Sequence, residues 1–365
     1  MKLTRSGCVV PDTPEIKKEL TVRPIVNADF GVAPPSFKVF RKAKSGLCVP
    51  RYYAEEKFGK VTEDIRPKPE KIKIAFKGKL RDETHQNEAL SKAIEAGHGI
   101  LSLPCGFGKT TVSLAIACKL GYRTMIVVHK EFLANQWKER IQQFCPGASI
   151  GIVQQNKKEV NCDFVIAMLQ SLSLKEYSFE DFDSIGTLIV DEAHHICAKV
   201  FSQSLFKLCP KHAFGLSATP NRKDGLTKVL HWFMGPTFFS VERKNQDQVD
   251  MFPLVYTCPR FEDPPPCTRF GKLSLPTMIT ELTEMPDRNR LILQTIKDLA
   301  KTTRQILVLS DRRFHCEFLH QRFKTTSGLY MGGMKEEDLT ESSKKQIIFA
   351  TFSQAHEGLD IPTLD

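Results

Sequence analysis

The chain has 365 residues, of which 41% are hydrophobic, so it is long enough for two or three domains with real cores. Its eleven cysteines include no CxxC pair, and there is neither a signal-like apolar N-terminus nor an apolar run of membrane length. These features exclude a disulfide-stapled secreted domain, a paired-cysteine zinc module and a membrane-spanning protein. We therefore expect an intracellular chain with reduced thiols.

The formal net charge of +10 is concentrated at the N-terminus. Residues 1–80 hold 18 Lys plus Arg and 9 Asp plus Glu, giving +9, and the remaining 34 and 33 give +1. This predicts a basic N-terminal module whose natural partner is a polyanion such as nucleic acid. Aromatic residues alternate with its basic residues, which is typical of a single-strand-binding surface or of a small β-domain core, and both interpretations stay open. These aromatics are Phe37, Phe40, Tyr52 and Tyr53.

Residues 71–80 alternate between apolar and basic side chains, which predicts a strand with one core face and one cationic face. The cationic face holds Lys71, Lys73, Lys77 and Lys79, and the apolar face holds Ile72, Ile74 and Phe76. A row of lysines can follow a phosphate backbone, and it can also protect an exposed sheet edge from aggregation. We favour phosphate binding.

The segment 100–121 has the pattern of a strand, a glycine-containing loop and a helix. Glycines let backbone amides close round a phosphate, Lys109 reaches the β and γ phosphates, and Thr110 offers its hydroxyl to magnesium. The general pattern has a glycine where this chain has Leu103, so the loop is an unusual version. The pattern predicts a nucleoside triphosphate site formed by Gly106, Phe107, Gly108, Lys109, Thr110 and Thr111.

An apolar strand at 187–190 ends in two adjacent carboxylates, Asp191 and Glu192. Because neighbouring strand residues point to opposite sides, Asp191 can hold magnesium while Glu192 orients and deprotonates the attacking water. A metal site that uses His194 and His195 is the weaker alternative, since no cysteine or histidine pair with ligand spacing lies nearby.

Further elements complete the pattern on both sides of this strand. Residues 131–144 have the spacing of an amphipathic helix, in which Trp137 is expected to be a core residue. A strand at 213–216 leads into Ser217-Ala218-Thr219, and a second sheet-and-helix pattern begins near residue 290, with apolar strands at 305–309 and 347–350.

The order GFGKT, DEAH, SAT resembles a superfamily 2 helicase. The sequences PCGFGKT and GLSATPNRKDG resemble the xeroderma pigmentosum group B helicases and their relatives in phages and large DNA viruses. The resemblance covers the chain from about residue 80 to the end. It implies two RecA-like lobes that bind ATP between them and act on nucleic acid.

The resemblance also implies contact positions outside the ATP loop. Gln86 matches the adenine-reading position, although Glu83 stands where an arginine is common. Lys130 and Gln170 match the first and second nucleic-acid-contacting segments.

Later positions are carried over in the same way. Arg222 falls in a triplet that is implicated in strand opening, and a solvated loop is the competing interpretation. Thr351, Gly358 and Asp360 match a segment that touches both nucleic acid and nucleotide. Residues that would relay the nucleotide state are His194, Ser217 and Thr219.

The family's last motif has no counterpart, because nothing resembling QxxGRxxR occurs in the sequence. Its arginines stabilise charge on the γ phosphate, and losing such an arginine costs roughly a thousandfold in rate. We therefore expect the chain to bind ATP better than it hydrolyses it. The pattern after residue 290 makes about half of a doubly wound lobe, so we also expect the 365 residues to be part of a longer polypeptide.

The predicted fold class is α/β, with RecA-like doubly wound parallel sheets in one complete lobe and one truncated lobe. The predicted domains are a basic nucleic-acid-binding module at 1–78, an ATP-binding lobe at 79–240, a connector or insertion at 241–290 and an incomplete second lobe at 291–365.

We expect an ATP-dependent helicase or translocase that acts on DNA, with ATP and Mg²⁺ as cofactors. The expected location is the nucleus, the cytoplasm or a viral replication site. The expected partner is nucleic acid, and we expect no association with a membrane. Two alternatives stay open: an ATP-binding nucleic-acid-binding protein with little turnover, and the motor part of a restriction or repair nuclease.

Overall fold

The structure is a computed structural model that describes residues 1–25, 34–104, 106–219, 221–242, 250–258, 268–269 and 272–355, together with positions 361 and 364. The described chain separates into two compact units. The first holds the described residues up to 242, and the second holds those from 250 onwards. None of the helices in these ranges is both long and apolar enough to cross a membrane.

A small β module opens the first unit. Its strands are β1 (Lys2–Thr4), β2 (Gly7–Val10), β3 (Thr21–Val22), β4 (Phe37–Lys38), β5 (Arg41–Ala43), β6 (Gly46–Val49) and β7 (Glu63–Asp64). Five of them form a sheet in the order β5-β6-β2-β1-β7, and β3 pairs with β4. The helices are α1 (Pro14–Glu19) and α2 (Arg51–Phe58). Thr13 caps α1 by accepting a hydrogen bond from the amide of Ile16, as an N-cap threonine does.

A larger sheet forms the rest of the first unit. Its strands are β8 (His98–Ser102), β9 (Thr124–Val128), β10 (Ile150–Gln154), β11 (Lys157–Lys158), β12 (Phe164–Met168), β13 (Thr187–Val190), β14 (His212–Ser217) and β15 (Thr237–Ser240). The order is β11-β10-β12-β9-β13-β14-β8-β15, and all neighbours are parallel except β10 and β11. The predicted α/β class with a parallel sheet is confirmed. The carboxyl ends of the parallel strands share one edge, where open α/β sheets carry their sites.

Helices connect these strands: α3 (Gln86–Ala96), α4 (Lys109–Leu120), α5 (Glu131–Phe144), α6 (Leu169–Leu174), α7 (Lys199–Ser204) and α8 (Thr227–Met234). The predicted helix 131–144 is confirmed with the same bounds, and Trp137 is a core residue with 1% of its surface exposed. Helix α4 ends where Gly121 adopts a left-handed conformation with φ 67°, which glycine allows at little cost.

The N-terminal module shares one apolar core with the larger sheet. Phe37, Tyr52 and Tyr53 are buried in this core, so the core interpretation of these aromatics is confirmed. The ring of Tyr52 stacks on His98 with the ring centroids 4.2 Å apart. These three rings are therefore not platforms on which bases could stack.

Arginines of the N-terminal module donate hydrogen bonds to backbone carbonyl groups in the segments that connect strands of the larger sheet. The bonds join Arg41 to Gln203 O at 2.7 Å, Arg51 to Lys211 O at 3.2 Å and Arg66 to Pro210 O at 2.6 Å. Part of the positive charge of the N-terminal module thus forms hydrogen bonds within the protein that join this module to the larger sheet.

Residues 71–80, which we call the strap, do not form the predicted strand. A single bridge joins Lys71 to Tyr122, and the strap is otherwise outside any ladder. Its backbone binds helix ends instead, since the amides at 72 and 77 donate to Gly121 O at 3.0 Å and Phe144 O at 2.7 Å. The predicted alternation is present, with exposed lysines and half-buried apolar residues. The alternation fits an extended segment lying over a core as well as it fits a strand. Because the strap is not an edge strand, its lysines do not protect a sheet edge from aggregation.

The second unit has a parallel sheet of three strands in the order β18-β20-β19. The strands of this unit are β16 (Thr268–Arg269), β17 (Lys272–Leu273), β18 (Ile306–Ser310), β19 (Ser327–Tyr330) and β20 (Ile347–Thr351). Its helices are α9 (Leu275–Glu284), α10 (Pro286–Leu299), α11 (Arg313–His320), α12 (Glu336–Ser343) and α13 (Phe352–Ala355). The predicted strands at 305–309 and 347–350 are confirmed to within one residue. Helix α9 was not predicted.

Candidate active site

The glycine loop lies between the carboxyl end of β8 and the start of α4. Gly106 and Gly108 have φ angles of 81° and 78°, in the left-handed region that disfavours other residues. The side chain of Leu103 is fully buried, and its carbonyl accepts a hydrogen bond of 3.1 Å from Lys109 Nζ. The position that departs from the general pattern is therefore a core anchor whose backbone holds the lysine within the loop.

Gln86 braces this loop from α3. Its side chain is 1% exposed, Oε1 accepts from Arg81 N at 2.9 Å, and Nε2 donates to Phe107 O at 2.8 Å. A methyl group at Gly108 would lie 2.5 Å from Nε2, which shows how closely the two segments fit. The role of Gln86 in adenine contact stays a prediction, while its contact with the loop is a structural feature that the sequence did not reveal.

Asp191 follows β13 on the same edge of the sheet. Its Oδ2 accepts from the indole Nε1 of Trp137 at 2.8 Å, and its Oδ1 accepts from the amide of Glu192 at 3.0 Å. Both carboxylate oxygens thus have fixed donors, and the charge makes these bonds strong. No pattern in the sequence indicates the contact between Trp137 and Asp191, because the two residues are 54 positions apart.

Glu192 has φ 44° and ψ 54°, a left-handed conformation that is strained for a residue with a side chain. Its Oε2 lies 3.5 Å from His194 Nδ1, which is 3.4 Å from Ser217 Oγ. Ser217 Oγ also accepts from the amide of Thr219 at 3.1 Å. The three residues predicted to relay the nucleotide state are thus brought together with the predicted base, Glu192.

Arg222 extends this network. It forms a two-pronged ion pair with Asp224, at 3.0 and 2.5 Å, and its Nη1 donates to His194 O at 2.6 Å. The ion pair lowers the pKa of Asp224, because the guanidinium favours the charged carboxylate. Lys223 between them is exposed. Arg222 is therefore a part of the site's architecture and not simply a solvated loop residue.

The predicted nucleic-acid residues occupy several places. Lys130 precedes α5, and Gln170 Nε2 donates to His129 O at 2.6 Å, which joins the start of α6 to the loop after β9. Thr351 ends β20 in the second unit and is buried. The strap lysines Lys71, Lys73 and Lys77 are exposed. Gly358 and Asp360 lie outside the described residues.

The residues at this edge suit an oxygen-bound divalent cation held together with a phosphate. Thr110 offers a hydroxyl and Asp191 a carboxylate, which are ligands that magnesium accepts when substrate phosphate supplies others. The strand β14 separates β8 from β13, which puts the two loops roughly 10 Å apart at their bases. Among the described residues there is no group of three or more His, Cys, Asp or Glu that could hold a metal alone, so the alternative built on His194 and His195 has no support.

A glycine loop, two carboxylates and a parallel sheet define a P-loop nucleoside triphosphatase with a RecA-like lobe. A family model described as "Type III restriction enzyme, res subunit" matches residues 78–222. A predicted ATP-dependent RNA helicase of Acanthamoeba polyphaga mimivirus is 33% identical, and the alignment covers 100% of this chain and 75% of that protein. The chain therefore belongs to the superfamily 2 helicases, in the family that includes this viral protein.

Two further comparisons agree with this assignment. The DNA 3'-5' translocase XPB2 of Sulfurisphaera tokodaii is 31% identical over 52% of this chain and 42% of its own length. The solved structure of helicase Lhr from Mycobacterium smegmatis has a TM-score of 0.51, is 19% identical, and covers 77% of this chain and 41% of that one. The comparison with Lhr supports the RecA-like α/β fold. The chain is an ATP-dependent nucleic-acid helicase or translocase, as predicted.

Proposed function

We propose that this chain couples the hydrolysis of magnesium-bound ATP to movement along DNA. The observation that carries the proposal is the joining of the two halves of the site. The phosphate loop after β8 and the carboxylates after β13 flank Ser217, which ends the intervening strand β14 and contacts His194. One edge of the sheet thus holds the loop that would bind phosphate, the carboxylates that would position magnesium and water, and the contact between Ser217 and His194 that connects them.

The phosphate half acts by orientation. Gly106 and Gly108 open the loop so that backbone amides can face a phosphate, and the start of α4 adds its favourable field. Lys109 would exchange its present bond to Leu103 O for the β and γ phosphate oxygens. Phe107 and Thr111 complete the loop that encloses the nucleotide.

The carboxylate half divides the remaining work. Magnesium, when bound with ATP, would offset the negative charge of the phosphates, with Thr110 and Asp191 as its protein ligands. Glu192 would orient a water molecule and accept its proton. Because Asp191 is fixed by two donors, it can keep one geometry while Glu192 and His194 respond to the state of the nucleotide.

The link to nucleic acid would run through the loops at the same edge. His194 contacts Ser217 through its ring and Arg222 through its carbonyl, while Lys130 and Gln170 lie at the start of the neighbouring helices. The exposed lysines of the strap offer additional phosphate contacts outside this edge. In the second unit, Thr351 at the end of β20, together with Gly358 and Asp360, would contact nucleic acid and nucleotide, as the family resemblance implies.

DNA is the proposed substrate on the strength of the relatives. XPB2 is named a DNA translocase, and the Lhr structure was determined with single-stranded DNA and AMP-PNP. The mimivirus relative is named an RNA helicase, so RNA belongs in the test. We keep the domain division at 78, 240 and 290 as part of the proposal, with the nucleus, cytoplasm or a viral replication site as the location.

The test is the ATPase rate with no nucleic acid, with duplex DNA, with single-stranded DNA and with RNA. DNA should stimulate turnover most, and Lys109→Ala and Glu192→Gln should each lower the stimulated rate by roughly a hundredfold or more. Lys119→Ala is the matched control, because Lys119 is exposed at the other end of α4. Unchanged turnover in either site variant would overturn the residue assignments, and stimulation by RNA alone would overturn the choice of DNA. Tight ATP binding without turnover would favour the nucleotide-binding alternative.

A further inference from the structure

Two cysteines meet where the far ends of α4 and α5 come together. Cys118 is in the last turn of α4, and Cys145 follows the last residue of α5, with its amide bonded to Ile141 O at 2.8 Å. Their Sγ atoms are 3.5 Å apart, close enough for a hydrogen bond between the thiols. A disulfide needs about 2 Å, so the two sulfurs must approach each other by about 1.5 Å to bond.

The two thiols differ in access. Cys118 is half-buried and lines an open groove of about 520 Å³ between the strap and helices α3 and α4, together with Phe76, Leu80 and Leu90. Cys145 is 1% exposed. A small oxidant from solvent therefore reaches Cys118 before it reaches Cys145.

We infer that Cys118 and Cys145 are a peroxide-sensitive modification site that closes to a reversible disulfide. Hydrogen peroxide would transfer one oxygen atom to the sulfur of Cys118, giving a sulfenic acid and one water. The sulfur of Cys145 would then attack the sulfur of Cys118, form the S–S bond and release the oxygen as a second water that takes up the thiol proton. In sum, two thiols lose two electrons and two protons, and one peroxide becomes two waters.

The hydrogen bond between the two thiols shifts their pKa values in opposite directions, raising the pKa of Cys118 and lowering that of Cys145. Thiolate character therefore favours Cys145, and the assignment of the first oxidation to Cys118 rests on access, because Cys118 lines the groove and Cys145 is 1% exposed. Burial also raises the pKa of two thiols outside this pair, to about 12 for Cys8 and to about 11 for Cys316. The sulfurs of Cys8 and Cys316 donate hydrogen bonds to backbone carbonyls. Among the nine described cysteines, Cys118 and Cys145 are the one pair whose sulfurs hydrogen-bond to each other.

The disulfide would tie together the segments that flank the ATP loop. Helix α4 begins at Lys109, α5 carries Trp137, and the strap binds the ends of both helices through Gly121 O and Phe144 O. The closed loop spans 27 positions, so the bridge restricts the unfolded chain considerably. We expect the midpoint of thermal unfolding of the first unit to rise by about 4 °C or more on oxidation.

The experiment treats the full chain with hydrogen peroxide and follows it by peptide mapping, thermal unfolding and labelling of sulfenic acids with dimedone. The expected products are a cross-linked peptide pair that contains residues 118 and 145, and a higher unfolding midpoint that reductant restores. In Cys145→Ser, label should accumulate on Cys118, whereas Cys118→Ser should leave residue 145 unlabelled. Cys162→Ser, which removes a half-buried thiol elsewhere in the same unit, is the control and should behave as wild type.

The circular dichroism spectra of the variants would show that each one is folded before oxidation. Direct conversion of Cys118 to sulfinic acid without a bridge would overturn the proposal. So would a bridge whose formation leaves the unfolding midpoint unchanged, or label that appears first on Cys145.

Discussion

Replacing Trp137 by phenylalanine removes one hydrogen-bond donor from Asp191 while an aromatic ring stays in the core. The indole Nε1 is 2.8 Å from Asp191 Oδ2, and the tryptophan is 1% exposed, so the donor lies in the core. A hydrogen bond to a charged group contributes about 1.5–3 kcal/mol. Because 1.4 kcal/mol is a factor of ten, losing the whole of this contribution from metal binding would lower the affinity by roughly 10- to 150-fold.

We expect that loss in the binding of magnesium, since a carboxylate that keeps only the bond from Glu192 N can rotate away from the metal position. The assay is calorimetric binding of a non-hydrolysable ATP analogue across a series of Mg²⁺ concentrations. The magnesium concentration at half-saturation should rise by roughly tenfold or more, while the affinity measured in EDTA should stay unchanged. This readout does not require turnover.

Trp232→Phe is the matched control, because it changes the chain's other tryptophan, which is 7% exposed and packs edge-on against Tyr53 at 5.5 Å. Both variants should lose some stability through the smaller ring, but only Trp137→Phe should shift the magnesium dependence. A folded Trp137→Phe protein with the wild-type magnesium requirement, or an equal shift in Trp232→Phe, would refute the reasoning.

Other predictions follow from single contacts. Gly108→Ala should weaken ATP binding far more than Gly106→Ala in a titration, because both glycines have positive φ but only the new methyl at 108 would strike Gln86; equal losses would contradict this. Burial lowers the pKa of His315 to about 4, so the second unit should lose up to about 3 kcal/mol of unfolding free energy as the pH falls from about 6.5 to 4. Denaturant unfolding at each pH checks this, and His315→Gln should flatten the profile. Arg66→Ala should destabilise the first unit by about 1–3 kcal/mol in urea, because two loop carbonyls lose their donor; no change would show that the contact is dispensable.

The features that the sequence predicted well are local. Helix α5 has a regular apolar spacing over 14 residues, and β20 is a continuous apolar run, so each pattern determines its element with little help from the rest of the chain. The glycine loop and the acidic pair belong to the same class, because each chemistry is encoded within a few adjacent residues.

What could not be predicted depends on partners that are distant in sequence. The excess charge of the N-terminal module suggested a free binding surface, yet Arg41 bonds a residue 162 positions away and Arg51 one 160 positions away. A charge count does not distinguish a guanidinium that faces solvent from one that binds a carbonyl group. The strap shows the same limit. Its alternation records which side chains are buried, but not whether its backbone pairs with a strand or with the ends of two helices.

The geometry at His194 suggests how one residue can serve two neighbours. Its ring lies between Glu192 and Ser217, whereas its backbone carbonyl accepts from Arg222. Any side chain at position 194 keeps the carbonyl, so His194→Ala would cut the first connection and leave the second. If Glu192 and Arg222 communicate through the backbone, the coupling free energy between them in a double-mutant cycle should be unchanged by His194→Ala. If they communicate through the histidine ring, this coupling free energy should fall to zero. The strained backbone of Glu192 favours the first route, because a change of its φ and ψ would move the peptide that leads to His194 without needing the ring to move.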